Sequence, residues 1–303
     1  MELEKEILKK GYCALNVGRI QKHAIVQALS ARYQVKYLTS LFNLSKSAYY
    51  RAKSAIPNAR KAERIRLTRQ LTRWFIESRR AAGSRYLVNK CRLAGESVGR
   101  YKVRQLMKEA GLFSKQPKHR YRNAVQERID APNALSRQFE VRQKNQVWCG
   151  DITYIWTGKQ WGYLATVMDL HARRVVGWAM SDAPNAQLAC DALNMALQIR
   201  GKPKGLMFHS DQGVQYASAA YRAVLFENHI AQSMSRRGNC WDNAPMERLF
   251  RSLKSEWIPK LGYLNLNEAK VDVGFYLMTH YNHDRPHAAN NGLPPALAEN
   301  TLK

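Results

Sequence analysis

Residues 146–156 read Gln-Val-Trp-Cys-Gly-Asp-Ile-Thr-Tyr-Ile-Trp, and this stretch decides the fold. It alternates apolar and polar positions and is rich in β-branched and aromatic residues, which predicts a strand. Two more segments of the same character follow at short spacing, Gly162 to Leu170 and Arg174 to Ser181, so the three read as an antiparallel meander. Beyond them the period changes. Pro184 to Arg200 reads as a helix with a proline near its start, Gly205 to Ser210 as a short buried strand and Ala217 to Asn228 as a helix. Ile230 to Ser235 is then a strand and Asn243 to Trp257 a helix. The order βββ-α-β-α-β-α predicts an α/β domain with a mixed sheet.

Upstream the character is different. Arg19 to Ala31 and Val35 to Lys53 carry apolar residues at helical spacing, with a break at Asn43-Leu44 and Ser45 placed to cap the next helix. Helix, short turn and helix make a helix-turn-helix pattern, and Lys46, Tyr50 and Arg51 on its second helix are candidate DNA contacts. Arg60 to Arg80 is a helix with eight Lys and Arg. A second helical pair follows, Ser84 to Ala94 and Gly99 to Ala110, stopped by Gly111; Arg100, Lys102 and Arg104 are its candidate DNA contacts. Residues 114–145 are polar and basic and read as a linker. The expected division is 1–55, a first helical region; 56–113, a second; 114–145, the linker; 146–260, the α/β core; and 261–303, a C-terminal helical segment.

Charge follows the same division. The chain has 303 residues and a formal net charge of +26. Residues 1–130 hold 30 Lys and Arg against 9 Asp and Glu, whereas residues 131–303 hold 19 against 14. A folded chain that gathers like charge over one half expects a polyanion, with nucleic acid ahead of an anionic membrane surface. No stretch approaches the roughly 18 consecutive apolar residues of a membrane-spanning helix. The first residues lack the basic start and apolar run of a secretory signal. Five scattered cysteines without a C-x-x-C pair predict reduced thiols, and hence a cytoplasmic protein.

Three acids stand out. Asp151 lies within the first strand, where a carboxylate among apolar neighbours is costly unless paired or bound to a metal. Asp211 ends the fourth strand in His-Ser-Asp-Gln-Gly, where Gly213 is expected to let the backbone turn sharply. Glu247 lies on the last helix of the core, with 35 residues between it and Asp211. Two Asp and one Glu converging from two strands and a helix can hold two hard cations such as Mg²⁺, with Mn²⁺ as a substitute. Asp242 and Glu256 are rivals for the third position; Asp242 is expected to cap the helix of Glu247 instead, and Glu256 to lie on another face. Lys254 follows Glu247 by two helical turns, which predicts one shared face. Arg236, Arg237 and Arg251 flank the acids and are expected to touch DNA. His280, His283 and His287 have metal-like spacing, but Pro286 interrupts the helix they would need, so packing or DNA contact is expected of them. His209 is expected to be a structural histidine or to orient a ligand. Leu3, Ile7 and Leu8 form little more than one heptad.

The flanks of the acids carry a resemblance. Trp-Cys-Gly-Asp-Ile-Thr-Tyr around Asp151, His-Ser-Asp-Gln-Gly-Val-Gln-Tyr around Asp211 and Asn-Ala-Pro-Met-Glu-Arg-Leu-Phe-Arg-Ser-Leu-Lys-Ser-Glu around Glu247 resemble the DDE transposases of bacterial insertion sequences. These belong to the retroviral-integrase superfamily. The similarity is to the insertion sequence three family and within it to the product of the second reading frame, OrfB. It extends to Tyr281-Asn-His-Asp-Arg-Pro-His287. The resemblance implies a ribonuclease-H-like catalytic core with Asp151, Asp211 and Glu247 as catalytic, metal-binding residues. It also implies contact of Lys254 with element-end DNA. Strand cleavage and strand transfer on double-stranded DNA would follow, by a homodimer or higher oligomer, with a first-frame (OrfA) product as a further partner. A non-catalytic DNA-binding regulator built on the helix-turn-helix pairs is the alternative.

Overall fold

A computed structural model describes residues 18–53, 59–115, 131–236 and 240–301. Leu3, Ile7 and Leu8, Arg237 and residues 116–130 of the expected linker lie outside them. The chain divides into two compact units, Met1–Leu67 and Thr68–Lys303.

In the first unit α1 spans Arg19–Leu29, α2 Val35–Leu41 and α3 Lys46–Lys53. Val26, Leu38, Phe42 and Tyr49 are buried together, one group from each helix face and from the α2–α3 turn. That turn reverses through Asn43, a residue type that tolerates the left-handed region it occupies, at φ 52°. Ser45 Oγ accepts from the Ala48 amide at 3.4 Å, in the capping role expected of it. Lys46, Tyr50 and Arg51 lie on the outer side of α3.

Helix α4, Ala59–Glu77, spans the division between the units. In the second unit it buries Leu71, Trp74 and Phe75. Helices α5, Ser84–Leu93, and α6, Arg100–Glu109, bury Leu87, Val88 and Cys91 on one and Val103, Leu106 and Met107 on the other. Arg100 and Arg104 are exposed and Lys102 is half-buried. These helices were expected within a separate segment, 56–113. From residue 68 they belong instead to the same compact unit as the α/β core, and Arg79 shows why. Its guanidinium pairs with Asp272 at 2.6 and 3.0 Å, donates to the Trp257 carbonyl at 2.9 Å and lies 4.0 Å over the Trp257 ring.

The described part of the expected linker, residues 131–145, also packs on the core. Leu135 is buried, its amide donates to Ser233 Oγ at 3.2 Å, and the Pro132 carbonyl accepts from the Met234 amide.

The core begins with β1 (Val147–Trp156), β2 (Trp161–Asp169) and β3 (Arg174–Ser181), the antiparallel meander that the sequence predicts. Helix α7 (Ala186–Arg200) starts at Asn185, whose side chain caps Leu188, rather than at Pro184. Then come β4 (Met207–Ser210), α8 (Ala219–Glu227), β5 (Ala231–Met234) and α9 (Ala244–Ser252). The sheet order is β3-β2-β1-β4-β5, with β4 and β5 parallel to β1. One face carries α7 and α8 over Trp148, Val176 and Phe208. The other carries α9 and the C-terminal helices over Cys149, Ile155 and Leu164.

Helix α7 approaches β3 at Gly177, where an added Cβ would collide with the Ala192 carbonyl oxygen and lie 2.8 Å from Ala196 Cβ. Both obstacles belong to the helix itself rather than to a flexible side-chain end. Gly177→Ala is therefore expected to destabilise the protein by about 2–3 kcal/mol or more, read as a lower urea midpoint.

After α9 the helix widens to a π-turn over Leu253–Trp257. Helix α10 (Leu266–Phe275) likewise continues as a π-helix over Tyr276–Asp284, and α11 spans Pro295–Thr301. The closing Tyr-Asn-x-x-Arg-Pro-His stretch is chiefly a packing device. Asn282 pairs with both the amide and the carbonyl of Val175, at 3.0 and 2.9 Å. Tyr281 and His287 are buried. Among the described residues no helix is long and apolar enough to cross a membrane.

Candidate active site

Asp151 sits in β1, the central strand, and is half-buried. Its Oδ1 accepts from the Ile152 amide at 2.8 Å, which orients the carboxylate. Burial and then the charge of Asp211 push its pKa well above the ordinary carboxylate value; Glu247 adds to the rise, while the Ile152 amide and Lys254 oppose it. Asp211 and Glu247, from beyond β4 and from α9, thus each lie within electrostatic reach of Asp151.

Asp211 lies just beyond β4. The turn there is not a left-handed glycine: Gly213 stays outside that region and its amide donates to Asp211 Oδ1 at 3.1 Å. The residue is exposed, yet desolvation of its carboxyl raises the pKa. Glu247, in the first turn of α9, is raised by desolvation too. Among the described residues no three His, Cys, Asp or Glu side chains converge tightly enough to make a ready metal cage. The donor chemistry nevertheless suits a hard divalent cation. All three are carboxylates, and their mutual repulsion is what a cation would relieve.

Two ties seat the helix of Glu247 against the strands of the two aspartates, and a third fastens it to the segments before β1 and after β5. His209, fully buried on β4, bonds Ser233 Oγ through Nδ1 at 2.9 Å and the Asp242 carbonyl through Nε2 at 3.0 Å. Burial lowers its pKa, and a carbonyl can only accept, so the ring is neutral with its proton on Nε2. Asn243 Nδ2 donates to the Gly150 carbonyl at 3.2 Å, next to Asp151. Asp242 does not cap the helix. Its carboxylate, fully buried, accepts from Arg137 Nε at 2.6 Å, Asn133 Nδ2 at 3.0 Å and Arg236 through both the amide and Nε at 3.1 and 3.2 Å. Arg236, expected beside DNA, is thus also a structural partner. The sequence reading missed Asn133, Arg137 and Asn243, which sit in stretches with no periodic or motif signal.

Glu256, the other rival acid, is committed elsewhere. Arg285 grips it at 2.7 and 2.8 Å and also reaches Ser252 Oγ. Lys254 stands over the Tyr154 ring with Nζ 4.3 Å from its centroid. Because the helix changes pitch at Leu253, seven residues from Glu247 are not two uniform α-turns. The lysine is placed by the π-turn and by Tyr154. Arg251 is exposed on the same helix.

The three C-terminal histidines do not form a cluster for metal. His280 packs 4.8 Å from the Trp257 ring, and His287 accepts from the Ala289 amide at 3.3 Å. Burial, helped by the charge of Arg285, lowers their pKa values to about 4 and about 3. Both folded values lie below the ordinary one of about 6.5, so their contribution to stability is complete above that pH. As pH falls below it only the unfolded chain takes up protons. Each histidine is then expected to cost about 1.4 kcal/mol per pH unit until its folded pKa is reached. Urea titrations at pH 7 and 5 should show this loss, and His280→Gln and His287→Gln should each flatten it.

The integrase core domain family matches residues 141–240, and a second family of the same description matches 228–295. The chain is 35% identical over 262 residues to a 31 kDa protein of insertion element IS600 from Shigella sonnei, covering 86% of this chain and 96% of that one. It is 33% identical over 286 residues to the transposase InsF of insertion sequence IS3A from Escherichia coli K12, covering 92% and 98%. Among solved structures it is similar to the HTLV-2 integrase catalytic core domain, at 18% identity and a TM-score of 0.40 over 52% of this chain and 97% of that one.

Proposed function

This chain belongs to the insertion sequence three (IS3) family of transposases, and from that premise we propose that Asp151, Asp211 and Glu247 are its catalytic carboxylates. Its fold is the expected α/β, ribonuclease-H-like integrase core preceded by helices. Its activity is DNA transposition and integration, as a divalent-metal-dependent polynucleotidyl transferase. What supports the assignment of residues is their placement: β1 of Asp151 lies beside β4, which leads into Asp211, and Asn243 ties the start of the helix of Glu247 to the Gly150 carbonyl next to Asp151.

In this reading the three carboxylates would hold Mg²⁺, or Mn²⁺ in its place, and the chemistry so supplied would be activation of an attacking oxygen and stabilisation of the leaving oxygen of a phosphodiester. The chain's own residues do the positioning. Backbone amides orient Asp151 and Asp211, and His209, Asn243 and Asp242 fix where α9 presents Glu247. Lys254, braced on Tyr154, meets the phosphate backbone beside the scissile bond, with Arg251 and Arg236 further along it.

Lys46, Tyr50 and Arg51 of α3 and Arg100, Lys102 and Arg104 of α6 grip double-stranded DNA as the second helices of two helix-turn-helix pairs. The assembly on paired ends is a homodimer or higher oligomer, with a first-frame product as a further partner, in the bacterial cytoplasm at the nucleoid. The test is incubation of the protein with element-end DNA and Mg²⁺, mapping which strands are cut and joined. Cleavage by variants that lack these carboxylates would overturn the assignment.

A further inference from the structure

The β1–β2 hairpin carries a feature that the carboxylates do not use. Tyr154, Trp156 and Trp161 are 44%, 38% and 46% exposed, large aromatic rings kept in solvent beside a well-filled core. Trp161 makes edge contacts to the other two, with centroids 5.0 Å from Tyr154 and 5.2 Å from Trp156. An edge contact leaves ring faces available to a flat partner.

The rings border a groove of about 720 Å³, within the ~300–1,000 Å³ typical of sites for small molecules. Its other wall is the loop after the π-turn, and that wall is built rather than incidental. Gly262, at φ 79°, lets the loop approach so closely that an added Cβ would lie 2.5 Å from the Trp156 carbonyl oxygen; the Tyr263 amide donates to that same oxygen at 3.0 Å. Lys115, Lys254 and Lys260 stand on the groove, and among the described residues no acidic side chain lines it. Lys254 also joins the groove to the carboxylates, since its charge acts on Asp151.

We infer that this groove receives an unpaired nucleotide of the DNA strand being processed, its base stacked on Trp156 and Trp161 and its phosphates met by the lysines. Aromatic faces within a basic groove are the arrangement that binds single strands with little regard to sequence. Bases within a duplex offer no free face, so the occupant is a nucleotide at a frayed end or one turned out of the helix. The inference rests on the proposed catalytic reading for its location, the groove's two β1 rings, Tyr154 and Trp156, being three and five residues along the strand from Asp151.

The experiment uses the full chain without divalent cation and DNAs of one sequence: a blunt duplex, and duplexes with a short unpaired 3′ or 5′ segment containing 2-aminopurine. Wild type is expected to bind at least one unpaired version about tenfold more tightly than the blunt duplex, the effect of roughly one stacked base, and to quench its fluorescence. Trp156→Leu with Trp161→Leu should remove that preference while leaving blunt-duplex affinity unchanged, and Trp161→Phe should largely retain it. Should the double variant not fold, quenching and DNA-dependent protection of tryptophan from acrylamide in wild type decide the matter.

No preference in wild type would overturn the inference, as would equal loss of blunt and unpaired binding. So would a change of oligomeric state without DNA, which would assign the rings to contact between copies. Because no strand is cut in this test, its failure leaves the carboxylate assignment standing. Asp151→Asn is expected to keep the preference even though it cannot cleave.

Discussion

Asp151→Asn, Asp211→Asn and Glu247→Gln are each expected to reduce strand cleavage and strand transfer by about 10³-fold or more, beyond the roughly 10–100-fold typical of losing a contact that only supports a metal ligand. Each change keeps the side chain's shape and removes its charge, which is what a cation requires of these positions. The same chemistry predicts an opposite effect on stability. Burial and its two neighbours raise the Asp151 pKa, so the ionised form opposes folding at pH 7. The neutral isostere relieves that penalty, and Asp151→Asn should melt at the same or a higher temperature than wild type when compared without divalent cation. DNA affinity should be retained or slightly increased, since a negative charge leaves a surface that meets phosphates. Melting curves, salt titrations of binding and mapped cleavage products separate these effects. An inactive variant that also melts earlier and binds DNA poorly would point to lost folding rather than lost chemistry.

Asp242→Ala is expected to lower stability by about 2–3 kcal/mol, below the ~3–5 kcal/mol of a wholly buried pair, because Arg137 and Arg236 keep 44% and 63% exposure and can return to water. The Asn133 amide and the Arg236 backbone amide lose their acceptor as well. The effect should reach the chemistry. Asp242 fastens the segment around residues 133–137 and Arg236 to the start of α9, so its loss loosens the helix that presents Glu247. A roughly 10–100-fold loss of cleavage is expected, with DNA affinity largely kept.

Burial alone would raise the Asp242 carboxyl, but hydrogen bonds from Arg236 and Arg137 more than reverse this and hold it at about 2. With a folded pKa below the ordinary 3.8, its contribution is complete above that pH and is lost as pH falls toward 2. Wild type and Asp242→Asn should therefore converge in stability under strong acid, as urea titrations at pH 5 and below would show.

The charge pattern takes on a definite meaning beside these results. On the proposed reading, the excess of Lys and Arg in the first 130 residues grips DNA, and the nearly balanced remainder carries the three acids, where a cation would meet the phosphate. Lys254 stands at the junction, close enough to act on Asp151 and braced on an aromatic ring.

Local order and partner chemistry were legible in the residues alone. Alternation at 146–156 and its two successors marked the meander, because strand periodicity is imposed by the pleat. Spacing, Ser45 and Gly111 marked the helices, because caps and stops are local. The three acids stand out in the sequence because their flanking residues resemble those of one family. Tertiary structure decided what depends on residues far apart in the chain. It joined the helices from residue 68 onward to the core through Arg79 and Asp272, and folded the region before β1 onto β5. It turned Asp242 from an expected cap into the anchor of α9, and committed Glu256 to Arg285. It also gathered three aromatic rings, unremarkable in sequence, into one basic groove that Lys254 lines. Short-range pattern carries backbone geometry and side-chain type, whereas ion pairs and grooves exist only once packing has brought distant segments together.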